Sequence, residues 1–382
     1  MLFKKRLMTP GPTDIPPTVL AEASKPIIHH RTPAFRQLLT EVVAGLKRVF
    51  KTQNDMLIFP AAGTGGMESA VVNLCSPQDK ILVASCGNFG NRWTSIAKAY
   101  GVEADHYEVE WGASVSPEEI EKRLAANQNI KAVYTTLSET STGVESDIEA
   151  IGKIVAKTQA VLVVDAISGL GAIPLKTDEW HADVVVVGAQ KGLMIPPGLA
   201  MVSISAKAWT LAKASKLPKF YFSWEKAQKS MTEEALANTP YTPSISLILQ
   251  LAESVKLIEQ EGLEAVWARH AKMGAATRAA VQALGLKLFS TGQPSNAVTS
   301  IVVPAGVDGK KLFKTIRDTY GITLAGGQGK VKDSIFRIGH LGYADEWDVI
   351  ATIAAVERAL REQGYSFTLG AGVTAAEKVL FG

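Results

Sequence analysis

The run Ala182-Asp183-Val184-Val185-Val186-Val187-Gly188-Ala189-Gln190-Lys191-Gly192 constrains this chain most. Four consecutive valines read as a strand buried on both faces, the pattern of an inner strand in a parallel sheet. Gly188 and Ala189 then leave room for something bulky, and the run delivers Lys191. Open α/β sheets bind ligands at the carboxyl ends of their strands. An amine placed there is poorly solvated, so its pKa falls towards the range in which it attacks a carbonyl. Taken alone, the stretch reads more readily as a surface lysine in a strand–loop turn.

Val161-Leu162-Val163-Val164-Asp165 shifts the balance, because it is a second buried strand and it ends in an acid. A lysine and an acid on the ends of two neighbouring strands are the pair that pyridoxal 5′-phosphate (PLP) requires. The lysine holds the aldehyde as a Schiff base, and the carboxylate keeps the pyridine nitrogen protonated so that the ring accepts electrons.

At 382 residues the chain is long enough for two domains. Its 47% hydrophobic and 20% charged residues describe a soluble globular enzyme. A net charge of +3 over 40 basic and 37 acidic residues makes no basic stripe, so nucleic acid is not expected as a partner. Cys75 and Cys86 show no metal-ligand spacing, and two thiols cannot build a four-thiolate iron–sulfur site. No metal is expected, nor a disulfide in a chain that reads as cytoplasmic. The charged start at Met1–Met8 lacks the apolar region of a signal peptide, and no run approaches a membrane span.

From the N-terminus, Thr9-Pro10-Gly11-Pro12-Thr13-Asp14-Ile15-Pro16-Pro17 is an extended arm, and its Gly11 lets backbone come close to a ligand. A helix is expected over 34–50, with one stripe formed by Phe35, Leu38, Leu39, Val42, Leu46 and Val49. Gly63-Thr64-Gly65-Gly66 opens the next helix, where loop amides and a helix N-terminus bind phosphate oxyanions. It is not a dinucleotide fingerprint, since the third glycine is absent. Phe89, between two glycines after the strand 80–84, is either a core anchor or a plate for a flat ring. The strand Ile130–Thr136 runs into the hydroxyl-rich Ser138-Glu139-Thr140-Ser141-Thr142-Gly143.

Strands thus alternate with helices as in a doubly wound α/β domain with a mostly parallel sheet. Asn238-Thr239-Pro240-Tyr241 interrupts the alternation, and a long helix bent near Gly262 follows over 244–284. The tail reads strand, helix, strand, helix, a smaller C-terminal α+β domain. The expected division is an arm at 1–20, a large domain at 21–250 and a small one at 251–382. Arg337 lies inside an apolar strand. A buried guanidinium needs a partner, either an internal carboxylate or a substrate carboxylate taken bidentately.

Pro10-Gly11-Pro12-Thr13, Gly63-Thr64-Gly65-Gly66, Glu139-Thr140-Ser141-Thr142-Gly143, Val164-Asp165-Ala166-Ile167-Ser168, Gly188-Ala189-Gln190-Lys191-Gly192 and Phe336-Arg337-Ile338-Gly339 stand in one order along nearly the whole chain. In that order they resemble the class V aminotransferases, in particular the alanine–glyoxylate and serine–glyoxylate (serine–pyruvate) enzymes. The resemblance implies the PLP-transferase type I fold, with Lys191 as the Schiff-base lysine and Asp165 as the pyridinium partner. It implies that Thr64, Gly65 and Gln190 contact the phosphate, that Thr140 lies near the ring hydroxyl, and that Ser168 belongs to the cofactor site. Phe89 stands where many relatives stack a tryptophan, and Gly66 where some carry a phosphate-side histidine. Asn238, Thr239 and Tyr241 would reach the phosphate of the partner's cofactor across a homodimer interface. Arg337, with Gly11 beside it, would hold the substrate α-carboxylate.

The expected reaction moves an amino group from alanine or serine to glyoxylate or a similar small oxo acid. Arg31 is the nearest further cation, and its expected role is structural. Two other outcomes are open. One is lyase, decarboxylase or desulfurase chemistry on the same fold, the last needing a mobile cysteine. The other follows a soluble-hydrogenase-subunit label carried by some cyanobacterial members of the family, whose isotope exchange would reflect proton exchange at PLP.

Overall fold

The computed structural model describes residues 4–232 and 237–382, so the first three residues of the charged start lie outside it. The arm forms a two-residue strand, β1 (Arg6–Leu7), and a short helix, α1 (Pro17–Glu22). Helix α2 (Pro33–Phe50) buries Phe35, Leu39, Val42, Leu46 and Val49, and Thr32 caps it by accepting from the Phe35 amide. Strands and helices then alternate: β2 (Asp55–Phe59), α3 (Gly63–Leu74), β3 (Lys80–Ser85), α4 (Gly90–Ala99), β4 (Glu103–Glu108), α5 (Pro117–Ala126) and β5 (Ile130–Thr136). A short antiparallel pair, β6 (Ser138–Glu139) and β7 (Val144–Glu145), precedes α6 (Ile148–Val155), β8 (Val161–Asp165), β9 (Val184–Gly188) and β10 (Ala200–Ile204).

Seven strands form one sheet in the order β2-β10-β9-β8-β5-β3-β4. Its pairs are parallel except at β10, which runs antiparallel to both β9 and β2. The valines of β9 divide as a pleat requires. Val185 and Val187 join the core that holds α2, and Val184 and Val186 join the opposite core that holds α3. The edge strand β4, Glu103-Ala104-Asp105-His106-Tyr107-Glu108, is polar because one flank faces solvent.

Helices α7 (Ala206–Ala214) and α8 (Trp224–Thr232) follow. The helix expected to bend over 244–284 is two helices, α9 (Ile245–Glu261) and α10 (Leu263–Ala283). Gly262 between them has φ 88°, which ends one helix before the next begins. Beyond lie β11 (Val298–Val302), α11 (Gly309–Tyr320), β12 (Ile322–Thr323), β13 (Ala325–Gly326), β14 (Ile335–Gly339), α12 (Glu346–Glu362) and α13 (Ala371–Phe381). Strands β11, β14 and β13 make an antiparallel sheet with its own core, shared by α10 to α13. The arm is part of this layer. β1 pairs in parallel with β12, Met8 is buried in the same core, and the Gly339 amide donates to the Met8 carbonyl at 2.8 Å.

Candidate active site

Beyond Gly188 the chain leaves the sheet and presents Lys191 to the arm. The Lys191 Nζ donates to the Pro10 carbonyl. The Thr13 hydroxyl donates to the Lys191 carbonyl at 3.3 Å, and the Thr13 amide to the Gln190 carbonyl at 3.3 Å. Burial lowers the Lys191 pKa to about 8. Asp165 opposes that shift, while Arg337 and Arg92 reinforce it. Gly11, at φ 103°, passes so close to this side chain that no larger residue fits there.

Asp165 ends β8 and is buried, with Oδ1 accepting from the Ile167 amide at 2.8 Å. Burial raises its pKa to about 7. The Ile167 amide, Arg92 and Lys191 pull it down, and Glu139 pushes it further up. An acid and an amine are therefore held near neutral pH beside one pocket, the pattern of a site prepared for proton transfer.

Thr64, Phe89, Asp165, Ser168, Gln190 and Lys191 line that pocket, together with Arg92 and Ser138, which the sequence reading did not single out. Helix α3 begins at Gly63 and aims its first amides out of its N-terminus. The Gln190 Oε1 atom is buried and lacks a hydrogen-bond partner among the described residues. The Thr64 hydroxyl accepts from Arg92 Nη1 at 3.1 Å, and the Arg92 guanidinium carbon lies 4.9 Å from the centre of the Phe89 ring. Gly65 and Gly66 are placed by packing. A Cβ on Gly65 would meet Ala61 at 2.8 Å, and one on Gly66 would meet Val186 at 2.7 Å, so Gly66 lets α3 lie directly on β9.

Arg337 is buried on β14, but its partners are carbonyl oxygens and not a carboxylate. Its Nε and Nη2 donate to the Gly326 carbonyl at 2.9 and 2.6 Å, and Nη1 to the Thr140 carbonyl at 2.8 Å. Burial lowers its pKa to about 10, against the pull of Glu139.

Glu139 is a residue the sequence reading passed over. Its buried carboxyl accepts from the amides of Phe89 (3.0 Å), Gly90 (2.8 Å) and Ser141 (3.1 Å) and from the Ser141 hydroxyl (2.6 Å). Burial raises its pKa. It anchors the loop that carries Phe89 and satisfies the amides at the start of α4.

Asn238, Thr239 and Tyr241 are half-buried and do not line the pocket. Arg31 Nη1 donates to the Thr239 carbonyl at 3.0 Å. The Tyr241 ring stacks on Tyr221 at 5.4 Å, and its hydroxyl donates to the Phe220 carbonyl at 3.3 Å. Cys75 and Cys86 are both buried, and burial pushes their thiols up, that of Cys75 to about 12. Among the described residues no group of three or more His, Cys, Asp or Glu side chains can hold a metal ion, and no helix is long and apolar enough to cross a membrane.

The sequence model of the family described as aminotransferase class-V matches residues 7–342. The chain is 42% identical over its whole length to a protein of Synechococcus named soluble hydrogenase, small subunit, and covers 99% of it. It is 38% identical to the L-aspartate–glyoxylate aminotransferase of Paracoccus denitrificans and 38% to the serine–glyoxylate aminotransferase of Methylorubrum extorquens, covering 96% of each with 99% of its own length. The crystal structure of ureidoglycine–glyoxylate aminotransferase from Bacillus subtilis superposes with a TM-score of 0.94 at 30% identity, over 99% of this chain and 98% of that one.

Proposed function

The chain belongs to the class V aminotransferase family, and on that premise we propose that it transfers an amino group from alanine or serine to glyoxylate. Pyridoxal 5′-phosphate is the cofactor, and the pocket fits it. An amine and an acid at neighbouring strand ends, an open helix N-terminus at Gly63 and an unsatisfied side-chain amide at Gln190, which offers an N–H donor to an anion when turned with Nε2 towards the pocket, border one space. When bound, the cofactor supplies an electron sink for the carbanion left when the substrate Cα loses its proton.

Each residue has its part in this reading. Lys191 Nζ would hold the cofactor aldehyde and, once displaced by the amino substrate, would take the substrate Cα proton and deliver it to the aldehyde carbon. A pKa of about 8 leaves a minority of it unprotonated near neutral pH, where an ordinary lysine has almost none. Asp165 would hold the proton on the pyridine nitrogen. Thr64, Gly65 and Gln190 would take the phosphate, with Gly66 setting the close approach of α3 to β9. Phe89 would lie against the ring, with Thr140 and Ser168 beside it, and Arg337 would take the substrate α-carboxylate next to Gly11. Asn238, Thr239 and Tyr241 serve the neighbouring subunit's phosphate in a homodimer. The exposed Phe220 and Tyr221 beside Tyr241 support that assignment.

The observation that carries the reading is the pairing of Lys191 and Asp165 across one pocket, the amine lowered and the acid raised by the same burial. A matrix of donors (alanine, serine, aspartate, glutamate) against acceptors (glyoxylate, pyruvate, 2-oxoglutarate) tests it on purified protein. Alanine or serine with glyoxylate should turn over fastest. A clear preference for aspartate, as in the Paracoccus relative's name, or for 2-oxoglutarate would reveal a second carboxylate subsite and overturn the donor and acceptor assignment. Sedimentation of a fully active monomer would overturn the dimer.

The other outcomes find less support. Desulfuration needs a reactive, mobile thiolate, and both cysteines are buried with raised pKa values. The soluble-hydrogenase name belongs to the Synechococcus protein. Exchange of substrate α-protons with solvent through Lys191 Nζ accounts for an isotope-exchange signal, and elemental analysis of active protein checks it. We place the enzyme in the cytoplasm, where two unpaired cysteines stay reduced.

A further inference from the structure

The phosphate of the cofactor carries close to two negative charges near neutral pH, yet Thr64, Gly65 and Gln190 are all uncharged. Burying such an anion without a cation is costly. Among the described residues two cations line the pocket, Lys191 and Arg92. Lys191 is committed to the cofactor aldehyde, so the remaining charge is that of Arg92.

Its placement suits the task. Arg92 lies in the first turn of α4, and its Nη1 donates to the Thr64 hydroxyl at 3.1 Å, which brings the guanidinium to the N-terminus of α3. That is its one side-chain hydrogen bond among the described residues, and the side chain is half-buried and lines the pocket, leaving most of its N–H fork open to a ligand. The guanidinium also lies over the Phe89 ring at 4.9 Å, so it is steadied from a second side. The Phe89 loop is in turn fixed by the Glu139 carboxyl.

We propose that Arg92 is the counter-charge of the cofactor phosphate, taking a phosphate oxygen beside the Thr64 hydroxyl while its other side keeps Phe89 oriented against the cofactor ring. The inference rests on the PLP reading of the pocket and adds a charged member to its phosphate subsite. Arginine suits the position because its planar fork can hold Thr64, a phosphate oxygen and an aromatic face together, whereas lysine offers a point charge.

The test compares two ligands on the cofactor-free protein: PLP, and pyridoxal, which has the same ring and aldehyde but no phosphate. Dissociation constants are read from tryptophan fluorescence for wild type, Arg92→Met and Arg92→Lys, with thermal unfolding of each. Arg92→Met should weaken PLP roughly ten- to a hundredfold while pyridoxal moves by no more than about twofold. Arg92→Lys should recover part of the loss. In wild type, inorganic phosphate should tighten pyridoxal binding, and this arm needs no variant to fold. Equal loss of both ligands with a normal unfolding midpoint would mean that Arg92 only props Phe89, and would overturn the proposal. So would unchanged PLP affinity, including the case in which Arg92→Met loses only turnover of dicarboxylate donors. If wild type itself binds no PLP, the assignment of the pocket fails, and that outcome is separate from a failure at Arg92.

Discussion

A Cβ built on Gly11 would collide with Cδ of Lys191 and stand 2.6 Å from its Nζ. The arm therefore fixes where the amine points. Gly11→Ala adds overpacking of about 1–3 kcal/mol to the strain of a side chain at φ 103°. It should leave the main sheet folded while cutting kcat at least about tenfold, since a misplaced reacting group is costly. A variant with the wild-type cofactor absorbance and rate would show that the arm yields freely.

Lys191→Ala should abolish turnover and the visible absorbance of bound cofactor while circular dichroism stays that of the folded protein. Asp165→Asn should still bind PLP but lose most of kcat, because an unprotonated pyridine is a poor electron sink. If the Asp165→Asn rate barely moves, the contact between Asp165 and the ring is wrong.

Arg337 bridges two carbonyls, Gly326 on β13 and Thr140 in the loop after β6, as well as facing the substrate in this reading. Lysine cannot span both. Arg337→Lys should lower kcat/KM roughly ten- to a hundredfold for donor and for oxo acid alike, since both present the same carboxylate. Steady-state kinetics of the two half-reactions measure it, and a loss confined to one of them contradicts a shared carboxylate site.

In the cofactor-free protein Lys191 gives up its proton near pH 8 instead of its ordinary 10.5. Between those values the unfolded chain holds more protons, so this group's contribution to stability rises with pH. Asp165 keeps its proton up to about pH 7 instead of 3.8, so between those values its contribution falls as pH rises. Urea unfolding across this range should show a wild-type minimum near neutrality. Lys191→Ala should flatten the limb above pH 8, and Asp165→Asn the limb below pH 7. Parallel profiles for wild type and both variants would mean that the pocket is well hydrated.

The proposed reacting pair was legible because runs of β-branched valine favour buried inner strands, and Asp165 and Lys191 stand just where those runs stop. The phosphate-side glycines were harder to separate. A glycine that admits an anion and one that lets a helix lie on a strand look alike in sequence, and Gly66 is held against Val186. Arg92 had a readable signal, its place one helical turn after Phe89, where i and i+3 side chains meet. Glu139 had none, since it takes the Phe89 and Gly90 amides from a loop far away in sequence. The turn at Asn238–Tyr241 shows no task in sequence, so only the family resemblance gave it one; its contacts with Arg31, Phe220 and Tyr221 appear only in the fold. Helix α13 and the polar edge strand β4 escaped because neither carries a strong apolar period.

The pairing of β1 with β12 makes the arm a mechanical linkage. The carbonyl that receives the Lys191 proton donor belongs to Pro10, three residues beyond β1 in a segment fastened to β14 through Met8 and Gly339. Lys191 itself is carried by the large sheet. The arm is also fastened to the Lys191 segment through Thr13, so the Pro10 carbonyl hangs between an anchor on each layer, and the position of the Lys191 amine depends on both.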